Sequence, residues 1–276
     1  MRLLLLLICL PVYLHSTAAL AAPRVVTSIA PLQEITATLM AGVASPQSII
    51  ADGASTHHFS FRPSHMRLLQ QADLVIWIGR NFEAGFQRVA ETLPRSTVQL
   101  ELLPALGIAG GDGHIWYSPV RLQQLIEIIT TRLIGIDADN EDRYRENAGR
   151  LSRAIASWRA ATLAEISTRQ PRFITDHEFT SHLQADMGYA AIATIHDQHD
   201  GHGGLHELRQ IEQRLRRQPA NCLLTLESPA APLALELAQK YHLRVITLVP
   251  AAADDAQQPA IIRRLKGLAS ALRECS

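Results

Sequence analysis

The residues best placed to do chemistry are histidines, of which the chain has 12. His57 follows a short β-rich run that ends at Ile50. His114 stands in GDGHIWYSP, just ahead of an expected helix, and His177 stands in ITDHEF, directly after another β-rich run. Neutral imidazole is the commonest protein ligand for Zn²⁺, and three imidazoles can occupy three corners of a tetrahedron. Hard cations such as Mn²⁺ prefer oxygen donors, so an all-histidine set points to zinc. Any one of the three reads equally well as a surface or core histidine. Their shared placement at expected strand ends is what favours a metal site. A second group, His196, His199 and His202 beside Asp197 and Asp200, reads either as a weak metal-collecting loop or as a polar turn rich in glycine. Three histidines with an open fourth position would also suit a zinc hydrolase, with Glu178 as general base. The chain has no HExxH helix to support that reading, and Trp77, Trp116 and Trp158 are expected in the core or at an interface.

Stepping from these side chains to the elements that carry them, β-rich runs alternate with helical ones. Strands are expected at Val25–Ile29, Gln47–Ile50, Asp73–Ile78, Val98–Leu102, Phe173–Thr175, Ala190–Ile195, Cys222–Leu226 and Arg244–Leu248. Helices are expected between them, one of them capped by Ser64. The alternation argues for parallel α/β layers. It breaks once, from Asn140 to Thr168, where Leu151, Ile155, Trp158, Leu163 and Ile166 recur at helical spacing and Pro171 marks the stop. The expected architecture is two α/β lobes with parallel sheets, joined by one long rigid helix, with a metal site in the cleft between them. Its divisions are a signal segment at 1–21, a first lobe at 22–138, a linking helix at 139–169 and a second lobe at 170–276. Ligands of open α/β sheets bind beyond the carboxyl ends of the strands, which is where the three histidines fall.

Met1 and Arg2 precede an apolar run from Leu3 to Leu14, and Ala19-Leu20-Ala21 is a small-x-small cleavage site. This is the pattern of a cleaved secretory signal, too short to span a bilayer. Basic and acidic residues balance at 26 each, which excludes the basic excess of a nucleic-acid binder. Cleavage would remove Cys9 and leave Cys222 and Cys275, an even count that reads as a disulfide in an exported protein.

The stretch DGASTHHFSFRPS (52–64), followed by LLQQADLVIWIG (68–79), resembles the zinc-uptake solute-binding proteins of bacterial ABC transporters. GHIWYSP (113–119), FITDHEFTSHLQADMGY (173–189) and LHELRQIEQRL (205–215) are similar to that family's later motifs, in the same order. The resemblance covers nearly the whole chain after the signal. It implies a non-enzymatic periplasmic protein that captures Zn²⁺ and delivers it to a cognate ABC permease. It carries ligand roles onto His57, His114 and His177, and it pairs Cys222 with Cys275. The protein is read as a monomer, with a metal-binding surface adhesin as the alternative within the family. The chain departs from the pattern where relatives often use a fourth, aspartate ligand, for Val249 stands there. The fourth position then falls to water or to Glu227, Asp254 or Asp255. Thr56, His58 and His65 also stand where relatives often carry acids, and only the short segment 106–112 replaces a long histidine-rich insertion.

Overall fold

The computed structural model describes residues 22–50, 59–166, 170–195, 205–226, 230–248 and 258–276. The expected signal segment, His57, Glu227, Asp254, Asp255, Val249 and the loop with His196, His199 and His202 therefore lie outside the described residues.

Four strands form the first sheet: β1 (Val25–Ile29), β2 (Gln47–Ile50), β3 (Leu74–Trp77) and β4 (Val98–Glu101), in the order β2-β1-β3-β4, with every pairing parallel. The central strands VVTSI and LVIW are buried at every position. That is what a parallel sheet covered on both faces demands of its sequence. The helices here are α1 (Ala30–Leu39), α2 (Pro63–Gln70), α3 (Ala84–Ala90), α4 (Leu102–Ala105) and α5 (Pro119–Ile136). The helix α5 starts where expected because Ser118 caps it, its side chain accepting from Arg121 N, with Pro119 in the first turn. For α2 the expected cap is corrected. Ser64 lies inside the helix, which begins at Pro63, and the cap residue is Arg62, whose backbone N–H donates to His65 Nδ1 at 3.1 Å. A proline fits the first helical position better than a capping one, so the start falls one residue before Ser64.

The long helix α6 (Glu141–Ile166) has 26 residues and is about 40 Å long. Tyr144, Leu151, Ile155, Trp158 and Ile166 form its buried stripe. Beyond it, β5 (Phe173–Thr175), β6 (Cys222–Thr225) and β7 (Arg244–Thr247) make a second parallel sheet in the order β5-β6-β7, accompanied by α7 (Ser181–Met187), α8 (Leu205–Arg217), α9 (Pro232–Lys240) and α10 (Ala260–Glu274). The strand expected at Ala190–Ile195 is reduced to a single bridge, Thr175 to Thr194. Its amides still reach β5, with Ile192 N donating to Phe173 O and Ile195 N to Thr175 O, but β5 is only three residues long and offers too little edge for a full ladder.

The two halves share one apolar core. It runs from the first sheet through α6 to Phe173, Leu224 and the α10 side chains Ile261, Leu265, Leu268 and Leu272. A smaller cluster, including Ile174, Ile211, Leu223 and Leu237, lies on the far face of the second sheet. The helix α10 joins the halves because it packs on both α1 and α6. The Arg264 guanidinium grips Glu34 of α1 with two bonds, 3.0 and 2.7 Å, and both side chains are buried. At the other end Cys275 is bonded to Cys222, the first residue of β6, across a sequence separation of 53. No helix among the described residues is long and apolar enough to cross a membrane.

Candidate metal centre

His177 follows β5 after one intervening residue, so it stands at the carboxyl end of the second sheet. His114 comes from the first half, between α4 and α5, on a turn that leads into a 3-10 helix at Ile115–Tyr117. The fold brings the two imidazoles together, with ring centroids 5.2 Å apart. Two imidazoles on one tetrahedral zinc, with Zn–N bonds of about 2.0–2.1 Å, would place their centroids roughly 5 Å apart. The observed spacing fits a shared ion.

Both rings are held by carboxylates. His114 Nδ1–H donates to Asp112 Oδ1 at 2.6 Å, and the His114 backbone N–H donates to the same oxygen at 2.8 Å. His177 Nδ1–H donates to Asp176 Oδ1 at 2.9 Å. An acceptor at Nδ1 selects the tautomer whose lone pair is on Nε2 and raises the basicity of that nitrogen, the usual support for a metal-bound histidine. The carboxylates are themselves fixed. Asp112 Oδ2 accepts from Ser181 Oγ at 2.7 Å, and Asp176 Oδ2 accepts from Thr225 Oγ1 of β6. Burial works to raise the Asp112 carboxyl, but the hydrogen bonds from His114 and Ser181 hold it below the usual carboxylate range. It is therefore ionised at neutral pH and able to orient the ring.

Aromatic side chains surround the pair. Phe82 meets the His114 ring edge-on at 5.0 Å, Trp116 lies 5.0 Å from it, and Phe179 packs 5.4 Å from His177. Gly113 permits this closeness, because a Cβ there would fall 2.3 Å from the Phe82 ring. The His114 side chain is nearly buried by this sleeve, while His177 stays partly exposed.

His114 and His177 thus meet, while His57, the third expected ligand, lies outside the described residues. Among the described residues, no group of three or more histidine, cysteine or acidic side chains gathers at metal-holding distance. Glu178, considered above as a general base, spends its carboxylate on the backbone N–H of Thr180 at 2.9 Å, at the entry to α7. His65 stacks on Phe59 and serves the start of α2. The sequence reading does not single out Asp112 or Asp176, although each stands within two residues of a candidate ligand.

The family profile described as zinc-uptake complex component A, periplasmic, matches residues 25–275. A high-affinity zinc uptake system protein of Yersinia pestis is 25% identical over 239 residues, covering 74% of this chain and 75% of the relative. An iron-binding protein of the same organism is 29% identical over 182 residues, covering 61% of this chain and 58% of the relative. Among solved structures, a periplasmic metal binding protein from candidatus liberibacter asiaticus aligns with a TM-score of 0.76 at 16% identity, over 91% of this chain and 99% of that one.

Proposed function

Because this chain belongs to the family of periplasmic zinc-uptake component A, a family of solute-binding proteins rather than enzymes, we propose that its own cargo is Zn²⁺. In this reading one ion is held between the halves, at 22–138 and 170–276, by His57, His114 and His177. The observation that carries it is the meeting of His114 and His177 across the two halves at 5.2 Å, each with Nδ1 engaged by a buried aspartate. Among the described residues, that arrangement presents two nitrogen donors of the kind zinc prefers. The iron-binding relative makes cargo choice a property to be argued from each chain's own residues.

His57 supplies the third donor, and the fourth position is filled by water, Glu227, Asp254 or Asp255. With water at the fourth position, three protein ligands leave one coordination site open for exchange of the ion. Residues 1–21 direct export and are removed after Ala21. The cargo passes to an ABC permease, and the chain acts as a monomer.

Competition titration of metal-free, exported protein tests the proposal. Zinc should bind one-to-one and displace manganese. Replacing His114 or His177 by alanine should weaken zinc binding by about two orders of magnitude or more, and His57→Ala should do the same. Preference for manganese over zinc, or wild-type affinity in the triple alanine variant, would reject the reading.

A further inference from the structure

The segment that carries His114 is fastened to the opposite half of the molecule at both of its ends. At its start, Asp112 receives two bonds from the first turn of α7. Ser181 Oγ donates to Asp112 Oδ2 at 2.7 Å, and His182 Nε2–H donates to the Asp112 carbonyl oxygen at 2.7 Å. At its end, Asp186 in the last turn of α7 accepts from Ser118 Oγ and, at 3.0 Å, from the backbone N–H of Val120. The carbonyl of Asp186 is in turn held by Arg159 of α6 at 3.1 Å. A helix from the second half therefore lies as a splint along residues 112–120 of the first.

We propose that α7 acts as a metal-retaining clasp, and that Ser181 and His182 are positioning residues which act on the cargo through Asp112. The argument rests on the proposed role of His114 as a ligand. One Asp112 carboxylate has two tasks: Oδ1 fixes the His114 ring, and Oδ2 is fixed by Ser181. With α7 in place, Asp112 can neither rotate nor exchange its bond to His114 for water, and its side chain is only 2% exposed. If α7 moves away, Asp112 loses both bonds from the other half, and the His114 ring loses a fixed support. The same α7 contacts that join the halves thus set the orientation of one ligand, so separation of the halves and loosening of the ion are one event. Release to a partner then needs no force on the ion itself, only displacement of a seven-residue helix.

The test uses full-length exported protein carrying Ser181→Ala, His182→Phe or both, with Gln184→Ala on the exposed side of α7 as control. Zinc dissociation into excess chelator is followed by stopped flow. Side-chain ¹⁵N resonances of His114 are recorded on the zinc-free protein, together with its melting temperature. We expect the double variant to release zinc about tenfold faster, at the low end of what loss of a ligand's outer support costs. The zinc-free protein should melt at an unchanged temperature, and its His114 nitrogens should shift from a fixed Nδ1–H form towards a tautomer mixture. Ser181→Thr, which keeps the hydroxyl, should restore both readouts. Adding Asp112→Asn to the double variant should accelerate release by less than Asp112→Asn does in the wild-type background. Unchanged release and unchanged ¹⁵N resonances would overturn the clasp, as would full additivity with Asp112→Asn. Should the double variant unfold, Ser181→Thr and Ser181→Ala alone provide the same contrast. Failure of the ligand assignment is recognised separately, by wild-type zinc affinity in His114→Ala, while the zinc-free ¹⁵N readout still reports on the clasp.

Discussion

Replacing Arg264 by methionine should damage this protein more than its place on a terminal helix suggests. Arg264 is 5% exposed and bonds both oxygens of Glu34, itself 9% exposed, at 3.0 and 2.7 Å. Methionine fills much of the same volume but leaves the Glu34 carboxylate buried without those two charge-assisted bonds. Breaking one side of a buried pair costs about 3–5 kcal/mol. For a chain of this size each kcal/mol moves the melting temperature by about 2–4 °C, so a drop on the order of 10 °C is expected. The exposed pair Arg24–Asp73, with side chains 63% and 44% exposed, serves as the contrast, and Arg24→Ala should leave the urea midpoint nearly unchanged. Urea unfolding at pH 7.5 measures both. The double variant Arg264→Met/Glu34→Gln should recover most of the loss, because it removes the stranded charge. A loss below 1 kcal/mol for Arg264→Met, or a double variant no better than the single, would refute the reasoning that the pair fastens α10 to α1.

Three further outcomes are expected. Burial pushes the Glu83 carboxyl up to about 7 from an ordinary value of 4.5, against a weaker opposing hydrogen bond from the Ile78 amide at 2.7 Å. The folded state therefore keeps a proton that the unfolded chain releases, and stability declines as pH rises between those values. Glu83→Gln should flatten that decline by up to about 3 kcal/mol between pH 4.5 and 8 in urea titrations, and parallel profiles for the two proteins would count against it. Serine at both Cys222 and Cys275 should lower stability by about 4 kcal/mol, from the loop entropy of a 53-residue separation, and an unchanged urea midpoint would exclude this. Deleting residues 197–202 should remove weak zinc equivalents in calorimetry and leave the tight one, whereas loss of the tight site would make a loop histidine a primary ligand.

Much of the architecture was legible because a buried parallel strand writes itself as a short run rich in apolar and β-branched residues. VVTSI, LVIW and CLLT all appear as β1, β3 and β6. The long helix was legible from its periodic stripe and the proline beyond it. Local pattern was weaker where tertiary contacts decide. Ala190–Ile195 has strand character but a partner strand too short to complete a ladder. Nothing local indicates that α10 crosses back to α1, since the Glu34–Arg264 pair joins residues 230 positions apart. At the site, His177 stands just beyond β5 as its position after a β-rich run suggests, whereas His114 is separated from β4 by α4, and the two rings nonetheless meet. The aspartates that hold the rings were visible in GDGH and TDH but carry no spacing rule of their own. Their partners Ser181, His182 and Thr225 become evident only when the halves are in contact.

The most direct measurement is anomalous diffraction at the zinc edge from crystals of exported protein loaded with one equivalent of zinc. The account predicts one strong peak between the His114 and His177 rings, about 2.0–2.1 Å from Nε2 of each, with a third imidazole from His57 at the same distance. The Nδ1 atoms should keep their bonds to Asp112 and Asp176. A strong peak located elsewhere, or an ion bound through Nδ1 with the aspartates displaced, would contradict the claim that these histidines hold the cargo.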